Sequence, residues 1–341
     1  MDNPPHFTSY IVEDRSHIAI IKREIHSKVI QAGFPKSRVA EVDIVVSEVT
    51  SNLIKYAGSG ELLYRLVNCG EDNPALELLC IDNGPGMNDP ARMLKDGVST
   101  GNTLGQGLGA IQRLSDSFEL YSLKGWGTIV YAQLAATECE PPVKPGIRIR
   151  SFNVPKPGET VSGDGHLVKH GKNGVRIFVA DGLGHGPAAH EAAAAGLQAF
   201  LSTHTESPVE MLRYVHEQVR KTRGMVGTIA SYNKMNNEWS FCGIGNISNR
   251  TYAGLEFKNY MSYNGIIGLN IPGSMKDARI PGEKNQHLIL CSDGIRTRWD
   301  LTKYPSVFKH DTIILAACLY KDFSRRTDDT SILIATVNPS R

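Results

Sequence analysis

Phe178-Val-Ala-Asp-Gly-Leu-Gly-His-Gly-Pro-Ala-Ala189 joins an apolar run to an alanine-rich run through an acid and three glycines. The run 175–180 predicts a buried strand, so Asp181 falls where this strand ends. Glycines after the acid let the main chain come close to whatever the carboxylate binds. Pro187, near the start of the alanine-rich run, predicts a helix that begins there. The stretch therefore predicts a strand, a ligand-binding turn and a helix.

Further acids of the second half of the chain stand at similar places. Asp164 follows a Ser-Gly pair, Asp293 follows the apolar run 288–291, and Asp328 and Asp329 precede another apolar run. Oxygen ligands without His or Cys at ligand spacing suit hard cations such as Mg²⁺ or Mn²⁺. A single Asp-Gly is also a common turn dipeptide. Because carboxylates that converge repel one another, the full set predicts a cation among them.

The first part of the chain predicts two helices, over residues 15–32 and 38–57, from apolar residues that recur every three or four positions. On the second helix, Glu48 and Asn52 are four residues apart and therefore share one face. An acid and an amide on a helix face can also be ordinary solvated surface, so this pair indicates a functional site only in combination with neighbouring motifs.

Those neighbours are glycine motifs beside predicted strands. A strand over 76–81 ends at Asp82, and a second strand over 127–131 contains Thr128. Between Asp82 and that second strand lie the glycines Gly84, Gly86, Gly105, Gly107 and Gly109. The last three open a predicted helix over 110–115, where free backbone N–H groups can bind phosphates. Each motif alone also fits a tight turn, but the ordered set is much more specific.

Residues 40–131 resemble the GHKL-type ATP-binding domain of DNA gyrase, the Hsp90 chaperone and histidine kinases, above all the serine kinases and anti-sigma factors of bacterial partner switching. The resemblance implies a Bergerat-type α/β sandwich that binds Mg-ATP. It implies that Asn52 holds Mg²⁺, that Glu48 is the general base of a kinase, and that Asp82 binds the adenine amino group. The same resemblance assigns adenine-side positions to Gly84, Gly86 and Thr128, and phosphate-side positions to Gly105, Gly107 and Gly109. Residues 96–103 resemble a short ATP lid.

Residues 147–338 resemble the metal-dependent type 2C (PPM) serine/threonine phosphatases, and the bacterial SpoIIE-like branch fits best. The motifs that carry this resemblance are Ser162-Gly-Asp164, Asp181-Gly-Leu-Gly-His-Gly186, Ser292-Asp-Gly294 and Asp328-Asp-Thr-Ser331. The resemblance implies an α-β-β-α sandwich with two metal ions, Mn²⁺ or Mg²⁺. It implies that Asp181 bridges both metals, that the Gly182 carbonyl contacts one, that Asp293 and Asp328 complete the other, and that Asp164 holds metal-bound water.

Several assignments stay open at this point. The ligand in the last motif is Asp328 or Asp329, with the family register favouring Asp328. His185 either orients a metal-bound water or caps the helix that follows it. A group of basic residues either grips a substrate phosphate or forms solvated surface: Arg220, Lys221, Arg223, Arg296, Arg298, Arg325 and Arg326.

Length and composition narrow the function classes. The 341 residues suffice for two domains, which we place at 1–136 and 147–341 around a Pro-rich linker, 137–146. A net charge of +2 gives no basic footprint for nucleic acid. No apolar run approaches the roughly 20 residues of a membrane span, and six cysteines without CxxC pairs favour a reducing cytoplasm.

Together these features predict a cytoplasmic enzyme with a kinase-like ATP-binding domain fused to a metal-dependent phosphatase. The resemblances imply phosphorylated STAS proteins, the anti-anti-sigma or stressosome components, as partners and substrates, and they leave a homodimer open. An alternative is that the N-terminal domain is a non-catalytic ATP-gated or anti-sigma-like binding module, which regulates the phosphatase or sequesters a partner.

Overall fold

The computed structural model describes residues 5–70, 72–94, 107–138, 146–254 and 256–337. Contacts divide the chain into two compact units. The N-terminal unit comprises residues 7–143 together with 302–321, and the C-terminal unit comprises 1–6, 144–301 and 322–341. By its contacts the segment 302–321 belongs to the N-terminal unit, although the sequence analysis counted it with the second domain. The linker 137–146 lies largely outside the described residues.

The N-terminal unit is built on a five-stranded antiparallel sheet in the order β1-β2-β3-β5-β4. Its strands are β1 (Thr8–Val12), β2 (Gly60–Asn68), β3 (Pro74–Asp82), β4 (Ser117–Leu123) and β5 (Gly127–Ala135). Its helices before residue 144 are α1 (Arg15–Gln31), α2 (Lys36–Asn52), α3 (Pro90–Met93) and α4 (Gly107–Leu114). A core formed by α1, α2 and one face of the sheet buries residues such as Ile25, Val42, Leu62 and Leu78. This is the α/β sandwich expected from the sequence.

The predicted helix over 38–57 is α-helical only as far as Asn52. The chain then makes one π-helical turn, Leu53–Ala57, and leaves it at Gly58, whose φ is +79°. Such π turns occur often at functional sites because they re-aim the side chains beside them. Here the change of helix type falls directly after the Glu48–Asn52 pair.

The C-terminal unit contains two five-stranded antiparallel sheets, ordered β13-β10-β9-β8-β7 and β12-β11-β14-β15-β6. Its strands are β6 (Ile147–Val154), β7 (Asp164–Gly171), β8 (Gly174–Gly182), β9 (Met225–Asn233), β10 (Glu238–Ile244), β11 (Ser248–Ala253), β12 (Glu256–Tyr260), β13 (Ala278–Pro281), β14 (His287–Cys291) and β15 (Thr330–Val337). Two helices, α5 (Pro187–Leu201) and α6 (Pro208–Gln218), pack on the first sheet around Phe178 and Ile229. Val179 and Phe241 of the first sheet meet Leu290 and Leu333 of the second in a shared core. The unit is therefore layered helix, sheet, sheet.

A last helix, α7 (Thr312–Phe323), lies between β14 and β15 in the chain. Its residues up to Lys321 belong by their contacts to the N-terminal unit, and its last two belong to the C-terminal unit. Within the described residues, no helix is long and apolar enough to cross a membrane.

One expectation about cysteines is wrong. Cys69 is disulfide-bonded, although the spacing of the cysteines indicated no disulfide. Four others are free and buried: Cys80, Cys242, Cys291 and Cys318. Cysteine spacing does not fix which thiols meet in the fold. Cysteine usage therefore no longer supports the reducing compartment that the sequence analysis inferred.

Candidate active sites

In the N-terminal unit, the acid and the amide of α2 face the start of α4. Glu48 and Asn52 are both half-buried. Gly107 is the first residue of α4, and a Cβ added there would lie 2.6 Å from Glu48 Oε2 and 3.8 Å from Asn52 Nδ2. A larger residue at Gly107 would therefore force the Glu48 carboxylate to move. The structure thus brings together a carboxylate, an amide and a helix N-terminus, where unpaired N–H groups favour phosphate.

Asp82 lies at the end of β3 and is held by backbone N–H groups from two loops. Its Oδ1 accepts hydrogen bonds from Gly84 N at 2.8 Å and from Thr128 N at 3.1 Å. Burial raises the pKa of this carboxyl, while the two hydrogen bonds and the charge of Lys321 act in the opposite direction. The acid is therefore fixed in direction, as recognition of a ligand amino group requires.

Glycine near Asp82 allows neighbouring main chain to come close. Gly86 has a φ of +67°, and a Cβ there would overlap the carbonyl oxygen of Leu123. Thr128 is buried, and its Oγ1 lies 2.8 Å from Ser122 Oγ. Gly109 is buried within α4. Gly105 and the predicted lid, 96–103, lie outside the described residues.

In the C-terminal unit, pairing of β7 with β8 places Asp164 directly opposite Asp181. Like charges opposite each other on neighbouring strands destabilise a sheet. Burial and the charge of Asp293 raise the pKa of Asp181 to about 8. Burial, and then the charge of Asp181, raise the pKa of Asp164 well above its usual value. Asp164 Oδ2 is buried and has no hydrogen-bond partner among the described residues.

Asp181 shares a cavity of about 360 Å³ with two other predicted acids, Asp293 and Asp328. The rest of the lining consists of Leu183, Gly184, Val226, Gly245, Asn246, Asn264 and Gly265. Among the described residues that line this cavity, none is Lys or Arg. Burial, followed by the charge of Asp328, raises the pKa of Asp293. The charge of Arg325, outside this lining, acts to lower the pKa of Asp293, but the lining itself brings three carboxylates together without a cationic side chain.

Asp329 and Asp328 have different surroundings. Asp329 is 3% exposed, and its carboxylate accepts hydrogen bonds from Lys156 N at 2.8 Å and Gly163 N at 3.0 Å. Asp328 is half-buried and faces the cavity instead. The geometry gives Asp329 a role in holding the loop between β6 and β7, and leaves Asp328 directed at the cavity.

Three of the other residues left open by the sequence, His185, Arg220 and Arg223, have defined contacts. His185 Nδ1 lies 2.7 Å from Glu159 Oε1, and the following helix, capped at Gly186, receives no side-chain cap bond. Arg220 pairs with Glu217. A Cβ on Gly184 would lie 2.8 Å from Arg223 Nη1, so that this arginine lies at the rim of the cavity.

Asn246 is a residue of the candidate site to which the sequence pattern assigned no role. Its Nδ2 donates to Asp293 Oδ2 at 2.8 Å, which fixes the direction of that carboxylate. Gly182, the predicted carbonyl ligand, donates its N–H to the Gly163 carbonyl at 3.1 Å, which extends the pairing of β7 and β8 by one residue beyond Asp164. A Cβ on Gly182 would lie 2.1 Å from the Ala189 carbonyl, which explains why the residue is glycine.

The donor set fits the predicted divalent cations. In the described part of the chain, no three His, Cys, Asp or Glu side chains already form a metal cage. The acids of this site nevertheless raise one another's pKa values, and one of them has a buried oxygen without a hydrogen bond. Oxygen donors of this kind suit Mg²⁺ or Mn²⁺, and a bound cation would relieve their repulsion. Asp164, Asp181, Asp293 and Asp328 are the residues that would hold it.

Comparison with known proteins supports both units. Residues 11–134 match the family model of the histidine kinase-like ATPase domain. The serine/threonine-protein kinase RsbT of Bacillus subtilis is 34% identical over 102 residues, covering 30% of this chain and 76% of RsbT. The phosphoserine phosphatase RsbX of the same organism is 24% identical over 152 residues, covering 42% of this chain and 72% of RsbX.

A solved structure of RsbX in complex with magnesium has the fold of the C-terminal unit. It matches with a TM-score of 0.51 and 18% identity, covering 65% of this chain and 100% of that chain. Through its N-terminal part the chain therefore belongs to the family of the serine/threonine-protein kinase RsbT, with a histidine kinase-like ATPase domain, and its C-terminal unit has the phosphatase fold of RsbX.

Proposed function

We propose that the C-terminal unit is a metal-dependent protein serine/threonine phosphatase that acts on phosphorylated STAS proteins of a partner-switching or stressosome pathway in the cytoplasm. The observation that carries this proposal is the cavity lined by Asp181, Asp293 and Asp328, with Asp164 opposite Asp181 in the sheet. Acids that are this close and lack a basic partner in the lining require a cation. Phosphomonoester hydrolysis in turn requires charge stabilisation, because its uncatalysed rate is very low.

Each residue has a place in this scheme. Asp181, Asp293 and Asp328 would hold Mn²⁺ or Mg²⁺, and Asn246 keeps Asp293 in position through its hydrogen bond. Bound cations of this kind activate water and neutralise phosphate oxygens. Arg223, at the rim over Gly184, is placed to meet the phosphoryl group of a substrate side chain.

For the N-terminal unit we propose a Mg-ATP-dependent serine kinase of the partner-switching type. Glu48 and Asn52 lie beside the start of α4, so a triphosphate bound at that helix would have the carboxylate and the amide at its side. Glu48 would take the proton from an attacking hydroxyl, and Asn52 would hold the Mg²⁺ of the nucleotide. RsbT, the kinase relative, supports this proposal.

The competing proposal for this unit is an ATP-gated or anti-sigma-like module that binds nucleotide without phosphoryl transfer. Two observations about Lys321, at the end of α7, favour it. Lys321 contacts Asn83, which is next to Asp82, and it lies only seven positions before Asp328 of the phosphatase cavity. Phosphoryl transfer to a STAS protein distinguishes the two proposals.

Hydrolysis of p-nitrophenyl phosphate and of a phosphorylated STAS protein tests the phosphatase. Wild-type protein should be active in Mn²⁺ or Mg²⁺ and inactive in EDTA, and Asp181→Asn should lose activity at least a hundredfold, because the residue faces the cation site. Glu283→Gln is the matched control, since it removes one exposed carboxylate of the same unit. Full activity in EDTA or in Asp181→Asn would refute the assignment.

A further inference from the structure

The segment 302–321 is anchored on the N-terminal unit by several polar contacts. His310 Nδ1 lies 2.7 Å from Glu119 Oε2, and Asp311 N donates to Glu119 Oε1 at 3.1 Å. At the other end of the segment, Tyr320 OH donates to Glu61 Oε1 at 2.7 Å, and this bond is buried. Contacts at both ends give α7 a defined position on the sheet of this unit.

Lys321 connects this helix to the surroundings of Asp82. Its Nζ donates to Asn83 Oδ1 at 2.5 Å and to the Trp126 carbonyl at 2.9 Å, and it lies 4.3 Å from the centre of the Trp126 ring. Asn83 follows Asp82 directly, and Trp126 lies two residues before Thr128, whose N–H binds Asp82. One ammonium group therefore holds both loops that fix this acid.

The residues after Lys321 are bound to the loop that carries Asp293. The Phe323 carbonyl accepts from Arg296 N at 2.9 Å, and Arg325 N donates to the Gly294 carbonyl at 2.8 Å. Arg325 Nε donates to the Asp293 carbonyl at 2.7 Å. These bonds lie within the C-terminal unit, where the residues that follow Lys321 are held to the loop of Asp293.

We infer that Lys321 is a positioning residue of the nucleotide site, and that binding of an adenine nucleotide is thereby linked to the phosphatase site through α7. The inference rests on the proposed functions of the two units. A ligand that orders the loops at Asn83 and Trp126 changes what Lys321 contacts. Phe323, the last residue of α7, lies two positions after Lys321, and Arg325 lies two positions further, so a change at Lys321 has a short covalent path to both. Such coupling is reciprocal, so cation binding at the phosphatase site should also change nucleotide affinity.

The test uses full-length protein and the probe AMP-PNP with Mg²⁺. Lys321→Met should bind AMP-PNP about three to ten times more weakly in calorimetry, the range expected for loss of a partly exposed charge-assisted contact. Lys309→Met is the matched control, because Lys309 is an exposed lysine of the same segment. Lys321→Arg, which keeps the charge, should recover part of the affinity.

A second measurement follows hydrolysis of p-nitrophenyl phosphate with and without saturating AMP-PNP. Wild-type protein and Lys309→Met should show at least a twofold change in rate with nucleotide, and Lys321→Met should show none. Asn83→Ala removes the partner of Lys321 in a loop and should behave like Lys321→Met, which covers the case that Lys321→Met folds poorly.

The two readouts separate the possible failures. If Lys321→Met and Asn83→Ala bind AMP-PNP as tightly as Lys309→Met, the role of Lys321 in the nucleotide site is overturned. If binding weakens but nucleotide never changes wild-type hydrolysis, the linkage to the phosphatase is overturned. If wild-type protein hydrolyses nothing, the phosphatase proposal fails along with the linkage, while calorimetry still supports or overturns the role of Lys321.

Discussion

Removal of the Asp329 carboxylate should destabilise the C-terminal unit, whereas removal of the adjacent Asp328 carboxylate should not. Asp329 is 3% exposed and accepts hydrogen bonds from the N–H groups of Lys156 and Gly163. Asp329→Ala leaves both donors without their acceptor in a place that water reaches poorly. Asp328, in contrast, is half-buried, and its Oδ1 accepts from the N–H of the next residue.

The size of the effect follows from the two lost bonds. Each buried donor left without a partner costs about 1–3 kcal/mol, so the two together cost about 2–6 kcal/mol. Removal of the Asp329 carboxylate also relieves its repulsion with Asp328, whose charge helps to raise the pKa of Asp329. This relief offsets part of the cost of the two lost hydrogen bonds. We expect a net loss of about 2–4 kcal/mol for Asp329→Ala and a change within about 1 kcal/mol for Asp328→Ala.

The assay is urea unfolding in EDTA, so that metal binding does not contribute, combined with hydrogen exchange of the peptides that cover residues 156–164. Asp329→Ala should unfold at lower urea and lose protection in this loop. Asp329→Asn keeps one acceptor oxygen and should lie between the wild type and Asp329→Ala. In Mn²⁺, Asp328→Ala should remain folded but lose hydrolysis.

Two results would refute this reasoning. One is an Asp329→Ala protein as stable as the wild type, with unchanged exchange at residues 156–164. The other is a stable Asp328→Ala protein with wild-type hydrolysis in Mn²⁺, which would remove Asp328 from the cation site.

In an Asp181→Asn background, Glu48→Ala should bind ATP nearly as well as its parent but should not transfer label from γ-labelled ATP to a STAS protein. Asn52→Ala should lose both ATP binding and transfer. Transfer by Glu48→Ala would contradict the general-base role. Burial lowers the pKa of His287 to about 4 from 6.5, so between these pH values only the unfolded chain binds this proton, and the contribution of His287 to stability should fall by up to about 3 kcal/mol from pH 7 to pH 4. In His287→Gln, the midpoint of urea unfolding should fall less from pH 7 to pH 4 than in the wild type. A fragment of residues 7–143 lacks the segment 302–321, so it should melt at a lower temperature than the N-terminal unit does within the full chain. An equal melting temperature would show that the segment does not stabilise this unit.

Secondary structure was largely readable from local pattern. Apolar periodicity predicts α1 and α2, Pro187 predicts the start of α5, and the apolar run 175–180 predicts β8, as the structure confirms. The exceptions have physical reasons. Strand β12 is almost wholly exposed and has no buried side to produce an alternating pattern. Strand β4 is short, and its first three residues are only half-buried.

Site residues were readable as a set but not as individuals. Several strand-end acids in one chain predict a cation site because their repulsion must be offset. The sequence does not show which of Asp328 and Asp329 faces the cavity. That depends on which of them accepts the N–H groups of Lys156 and Gly163, and these residues are more than 160 positions away. Asn246 likewise becomes a site residue only once its loop meets Asp293.

The sequence by itself determined two α/β units, the acids of a cation site and the glycines of a nucleotide site, because periodicity, turn chemistry and charge repulsion act within short stretches of chain. Only the tertiary structure assigned residues 302–321 to the N-terminal unit and brought Lys321 to Asn83, across 238 positions. The physical reason is that buried surfaces and charged groups select partners by proximity in the folded chain, and sequence separation carries no information about that proximity.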